Sequence, residues 1–253
     1  MKKFCLLAIA SVSVLSAGSV NAQFAGTVLD YTPGTGFAAG FTNASAALGA
    51  PASGSGVTPF APPFSKSQIV SIGAGGQITL QMSAPIWNDA ADPYGINFIL
   101  FANEFFVNSS SGVSGLFYHA ATMQVQVSAD DMTWYTLNPA LAPQAGELYP
   151  TDGSGNPQIA VNPALTTGNF TGLNLAGIEA LYHGSAGGTG YDLAWALDGN
   201  GDSVDLTNAD YVRIQVQSGV LDLDAVSGVP EPATWTLILT GAVMIGCRWH
   251  KKK

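Results

Sequence analysis

Thr122-Met123-Gln124-Val125-Gln126-Val127-Ser128 alternates apolar and polar side chains without a break. A period of two sets Met123, Val125 and Val127 on one face of an extended strand and Gln124, Gln126 and Ser128 on the other. A helix would scatter the same residues around its circumference. The stretches Gln77 to Met82 and Tyr211 to Val216 repeat the pattern. Ile96 to Ala102 is nearly all apolar, as expected of a central strand buried on both faces. Gln68 to Ile72 and Trp134 to Leu137 read as further strands, the latter after an Asp130-Asp131 turn, and Leu221 to Val226 as the last. Gly, Pro, Asn and Asp fill the gaps. Short strands at spacings of about ten residues predict an all-β body, a β-sandwich or jelly roll. The one helical candidate is a single turn over Ala44 to Leu48, with no helix-period stretch between 60 and 228. Residues 139–175, rich in Pro, Gly and Asn, read as a long loop insertion.

Charge is sparse and unevenly placed. Of eight Lys and Arg, six lie at the two ends, so residues 23–229 keep only Lys66 and Arg213 against 16 carboxylates, a net charge of −14. Phosphate backbones are bound by Lys and Arg, so nucleic acid is excluded as a partner. Both cysteines, Cys5 and Cys247, lie outside the body. The body therefore has no disulfide framework, thiolate metal site or cysteine nucleophile. About 200 residues can bury a core without such staples.

Met1-Lys2-Lys3 is a positive n-region, Phe4 to Leu15 an apolar h-region, and Val20-Asn21-Ala22 offers small residues at the −3 and −1 positions. Residues 1–22 therefore read as a signal peptide cleaved between Ala22 and Gln23. At the other end, Val229-Pro230-Glu231-Pro232 precedes an apolar segment, 233–247, and then Arg248-Trp249-His250-Lys251-Lys252-Lys253. A helix over that apolar segment would rise about 22 Å, enough to span a locally thinned bilayer. Its basic end belongs in the cytoplasm and everything upstream outside. The prolines keep the tetrapeptide extended and accessible to a protease.

This motif, span and basic tail resemble the PEP-CTERM sorting signal of Gram-negative bacteria. The resemblance implies three domains: signal peptide 1–22, an extracytoplasmic body 23–228, and sorting signal 229–253. It implies export across the inner membrane, transient anchoring through 233–247, and recognition of Val229, Pro230, Glu231 and Pro232 by a membrane cysteine transpeptidase, the exosortase. The protein would end at the cell surface or in the extracellular matrix, in a bacterium that makes exopolysaccharide.

The body carries a second resemblance. Phe41-Thr42-Asn43 with Ala46 to Pro51, Gly75 to Leu80, Asn97 to Phe105, Val125 to Asp130 with Trp134, Tyr211 to Ile214, and Leu221 to Val226 are similar to a galactose-binding-like, discoidin-type jelly roll. Where that family has an aspartate before the buried strand, this chain has Asn97, and its Phe-Glu-Asn pattern reads Phe101-Ala102-Asn103-Glu104. The resemblance implies a structural Ca²⁺ held by a carboxylate on the last strand. Asp222 and Asp224 alternate there with Leu221, Leu223 and Ala225, and Glu104 or Asn103 could join them. Ca²⁺ takes six to eight oxygens. The alternative is that both aspartates simply face water.

A second cation candidate is Asp198-Gly199-Asn200-Gly201-Asp202-Ser203-Val204-Asp205. Asp198, Asn200 and Asp202 match positions 1, 3 and 5 of an EF-hand loop, and Asp205 adds a carboxylate. Ser203 stands where Gly is expected and Ala209 where Glu is expected, so the choice lies between a non-EF calcium turn and an ordinary hairpin loop. Catalysis finds little support. His119 and His183 are the body's only histidines and stand alone, and no Gly-x-Ser-x-Gly elbow occurs. Trp87, Trp134 and Trp195 could stack on sugar rings, but core packing is the expected role of Trp134 and Trp195. The expected function is therefore non-enzymatic: association with exopolysaccharide. The alternatives are a structural or adhesive surface protein that binds protein partners and, more distantly, a glycan-active enzyme.

Overall fold

The computed structural model describes residues 23–51, 56–144 and 149–230. The signal segment 1–22, the apolar span 233–247 and the basic tail lie outside them. Among the described residues no helix is long and apolar enough to cross a membrane.

The body is mostly antiparallel β-structure. β1 (Ala25–Thr32), β3 (Gln77–Trp87), β7 (Ala121–Ser128), β8 (Tyr135–Leu137) and β10 (Ala196–Leu197) share a front sheet with the first half of β11 (Asn208–Gly228), in the order β1-β3-β11-β7-β8-β10. β2 (Val70–Gly73), β4 (Phe98–Ala102) and β9 (Thr189–Tyr191) form a back sheet with the second half of β11. β5 (Phe105–Ser109) and β6 (Gly112–Phe117) make a separate hairpin.

The alternating runs form strands because each has one face to bury. Ile78, Leu80, Val125, Val127, Val212 and Ile214 from the front sheet meet Val70, Ile72, Phe98, Leu100, Leu223 and Val226 from the back sheet in one core. Each such side chain contributes about 1.5–3 kcal/mol when fully buried. Two antiparallel sheets packed face to face over that core make a β-sandwich.

β4 is buried at every position, as its unbroken apolar run predicts. Its inner residues join the main core. Its outer residues, Ile99 and Phe101, pack with Ala160 and Ala186 of the segment between β8 and β9.

That segment corrects the expectation of a structureless insertion. It holds two short helices, α1 (Thr167–Phe170) and α2 (Leu175–Tyr182). Asn174 caps α2 by accepting a hydrogen bond from the Gly177 N–H at 3.0 Å. Ile178 and Tyr182, four residues apart on one helix face, are buried with Phe106, Val113 and Phe170. Two turns are too few for a helical period to stand out from a Gly- and Asn-rich background.

A second correction concerns the end of the body. Tyr211 to Val216 and Leu221 to Val226 are one continuous strand, β11. A register shift between Val216 and Ser218 and a left-handed Gly219 (φ 76°) bend it from the front sheet into the back sheet. Far-ultraviolet circular dichroism of the full chain should be strand-dominated, and helix content above about 25%, near the globular average, would refute this architecture.

Candidate functional site

The bend in β11 brings Asp222 onto the back sheet, opposite Ser71 of β2 and next to the chain leaving β4. The Asn103 N–H donates to the Asp222 carbonyl at 3.1 Å, which sets Glu104 beside that strand. Both carboxylates are inside: Asp222 and Glu104 are each 3% exposed. Asp222 Oδ2 lies 2.9 Å from His119 Nδ1, the one ion pair among the described residues. Asp222 Oδ1 and Glu104 Oε2 are buried with no hydrogen-bond partner.

Burial pushes Glu104 up to about 8, against the pull of its own backbone N–H and with the further push of the Asp222 charge. Tyr31, whose hydroxyl donates to the Ser71 carbonyl at 2.8 Å, is raised first by burial and then by the same Asp222 charge. Two buried carboxylates, each with an unsatisfied oxygen, create a local deficit of positive charge that a cation would relieve. Hairpin aromatics stand over the pair: Phe105 stacks on Phe117 at 4.8 Å, and Phe117 meets the His119 ring edge-on at 5.7 Å.

The expected calcium ligands fare unequally. Asp222 and Glu104 come together, with Asn103 taking part through its backbone. Asp224 is 2% exposed and falls at a register shift between Leu223 and Ala225. That bulge interrupts the alternation from which a shared face for Asp222 and Asp224 was inferred. Among the described residues no group of three or more His, Cys, Asp or Glu side chains converges to hold a metal. The oxygens on the page are thus two carboxylates, and further ligands would be carbonyls or water.

In the 198–205 loop the geometry is that of a self-capped turn. Asp198 Oδ1 accepts from the N–H groups of Asn200 at 2.8 Å and Asp202 at 3.0 Å, and Oδ2 accepts from the Asn200 amide at 3.4 Å. The Asp202 and Asn200 N–H groups hold its carboxyl below the usual range. Asn200, Asp202 and Asp205 are exposed.

Asn97, standing where the resemblance has an aspartate, is fully buried and structural. Its Oδ1 accepts from the Leu193 N–H at 2.9 Å, and its Nδ2 donates to Asp92 at 3.2 Å. His183 ends α2 in the left-handed region. Trp195 packs partly against the core, as expected. Trp134 does not: it lies outside the front sheet under Arg213, 3.7 Å from guanidinium carbon to ring centroid. A residue placed just before a short strand carries too little periodicity to tell one face from the other. A cleft of about 640 Å³ beside Tyr149, Phe170 and Trp195 has no carboxylate, imidazole or thiol among its lining residues.

The two ends of the body meet. The Gly228 N–H donates to the Gln23 carbonyl at 2.6 Å, and Phe24 bridges to Ser227. Val229, 4% exposed, closes the core with its N–H on the Asn97 carbonyl at 2.8 Å, and the described residues end at Pro230. Ala22, Glu231 and Pro232 lie outside them. The fold and its buried carboxylate pair define an antiparallel β-sandwich with a candidate cation site. No protein-family model and no curated protein matches the chain.

Proposed function

We propose that the protein is an exported, surface-held sandwich of the PEP-CTERM kind, sorted by an exosortase. In this reading its body has a galactose-binding-like jelly-roll fold and associates with exopolysaccharide without catalysis. The observation that carries the reading is the meeting of Gln23 with Gly228. The proposed signal cleavage point and the sorting motif leave the body at one pole, immediately beyond its last buried residue. A body anchored there holds the rest of its surface away from the membrane.

The acidic, cysteine-free composition supports a matrix role over one on nucleic acid. The Glu104–Asp222 pair supports a structural Ca²⁺, which would tie the end of β4 to β11 by neutralising both carboxylates. Glu104 and Asp222 would ligate it, with His119 steadying the Asp222 carboxylate.

Changing Pro230, Glu231 and Pro232 together to Ala should trap the protein in the membrane of its native host. Mass spectrometry of the wild-type surface or medium fraction should find an N-terminus near Gln23 and nothing beyond about residue 233. Normal release of the triple variant, or an intact Lys251-Lys252-Lys253 in most of the mature pool, would end the sorting reading.

A further inference from the structure

Arg213 is the body's only arginine, one of two cations among 16 carboxylates. In so negative a field an arginine readily finds an acid, yet among the described residues this one has no ion pair. The fold holds it differently. Its guanidinium carbon lies 3.7 Å above the Trp134 ring, and its Nε donates to Thr79 Oγ1 at 3.1 Å. Neither terminal nitrogen has a hydrogen-bond partner among the described residues. The indole is fixed in turn by its own N–H on the Asp131 carbonyl at 3.3 Å. A planar fork fixed on an aromatic plate, with its two end nitrogens unspent, has the geometry that takes a carboxylate bidentately.

The surroundings are polar and orderly. Arg213 lies between Thr79 of β3 and Gln126 of β7, and the next row of the same face is Gln77, Gln215 and Gln124. Gln215 Nε2 donates to Gln77 Oε1 at 3.0 Å, which orients both amides. Each amide has two donors and one acceptor, so the ladder keeps capacity after bonding to itself. Asp30, at the β1 edge, is engaged by the Gln77 amide. Side chains on rigid central strands hold their positions better than side chains on loops.

We propose that this face binds a carboxylate-bearing polysaccharide strand, Arg213 taking a uronate carboxylate and the flanking glutamines taking ring hydroxyls. The proposal rests on the exopolysaccharide reading and names the chemistry of the polymer. Charge complementarity selects the occupant: a single cation in a body of net charge −14 recognises a carboxylate at contact, while the remainder repels the polymer at long range. The repulsion is screened beyond about 8 Å at 0.15 M salt and the contact much less. Affinity therefore rises from low salt to physiological salt, the reverse of binding to a basic surface.

The test is isothermal titration of the purified full chain with octagalacturonate and with its methyl ester, in 0.15 M NaCl and EDTA so that no calcium bridges contribute. Octagalacturonate should bind, the neutral ester at least about tenfold more weakly, since a hydrogen bond to a charged group is worth that much. Arg213→Gln should lose about tenfold or more at an unchanged melting temperature, with Arg213→Lys between. Absence of octagalacturonate binding, equal binding of the ester, or full affinity in Arg213→Gln would overturn the proposal. The ester comparison needs no variant and stands whether or not the substitutions fold. Retention on the host's exopolysaccharide separates the two readings. If wild type and Arg213→Gln are both retained, the Arg213 site fails and the matrix reading stands; if neither is, both fail.

Discussion

Calcium is expected to raise the melting temperature of the body by about 5–10 °C, with magnesium at matched ionic strength giving clearly less. A ligand that binds only the folded state at 100 times its dissociation constant adds about 2.7 kcal/mol. In a domain of this size each kcal/mol moves the midpoint by about 2–4 °C. Calcium is favoured because Mg²⁺ demands tighter octahedral geometry and gives up its water reluctantly. Glu104→Gln or Asp222→Asn should abolish the calcium increment. Asp202→Asn should leave it intact, because the carboxylate at the start of that loop is already occupied by backbone N–H groups. Equal shifts from both metals, unchanged in every variant, would leave only diffuse screening of a body with 14 excess negative charges.

The same site sets a pH dependence. In the metal-free fold Glu104 titrates at about 8 instead of 4.5. Between those values the folded state holds a proton that the unfolded state has lost. Folded stability is therefore greatest below the unfolded value and falls as pH climbs toward 8. In EDTA the wild type should melt lower at pH 8 than at pH 5.5, and Glu104→Gln should flatten the trend and be the more stable protein at pH 8. A coordinating carboxylate must be ionised, so the calcium increment should grow over the same interval. A calcium increment that shrinks from pH 5.5 to pH 8 would contradict the assignment of Glu104.

Gly219→Val is expected to destabilise the body by about 3–5 kcal/mol, enough to unfold a marginal domain. Two effects add. Gly219 has φ 76°, where a β-branched residue is strained. Its added Cβ would lie 1.7 Å from the Ala120 carbonyl oxygen, so backbone must move. Gly199→Ala is the control, since a Cβ there meets nothing within 4 Å, and it should stay within about 0.5 kcal/mol of wild type. Denaturant titration of the three proteins decides the matter, and a Gly219→Val protein as stable as the control would show that β11 does not need its bend. The bend bears on function because one strand carries both sites: Arg213 before it, on the front sheet, and Asp222 after it, on the back sheet.

Strand identity was legible in single stretches. Gln77 to Met82, Thr122 to Ser128 and Tyr211 to Val216 alternate, and the fold buries one set from each in the common core. Ile96 to Ala102 was legible as doubly buried for the same local reason. The turn chemistry of Asp198 to Asp205 was legible as an alternative to calcium, because an aspartate that can cap its own loop does so whatever lies beyond it.

What the sequence by itself determined about this protein is therefore an acidic, cysteine-free, all-β body, since alternation and turn residues act over a few bonds of backbone. Only the tertiary structure decided that two closing strands are one, that Trp134 lies outside under Arg213, and that His119 meets Asp222 across 103 residues. Those facts depend on which strands become neighbours and at what register. Neighbourhood is set by the packing of all the apolar faces together, and no local period records it.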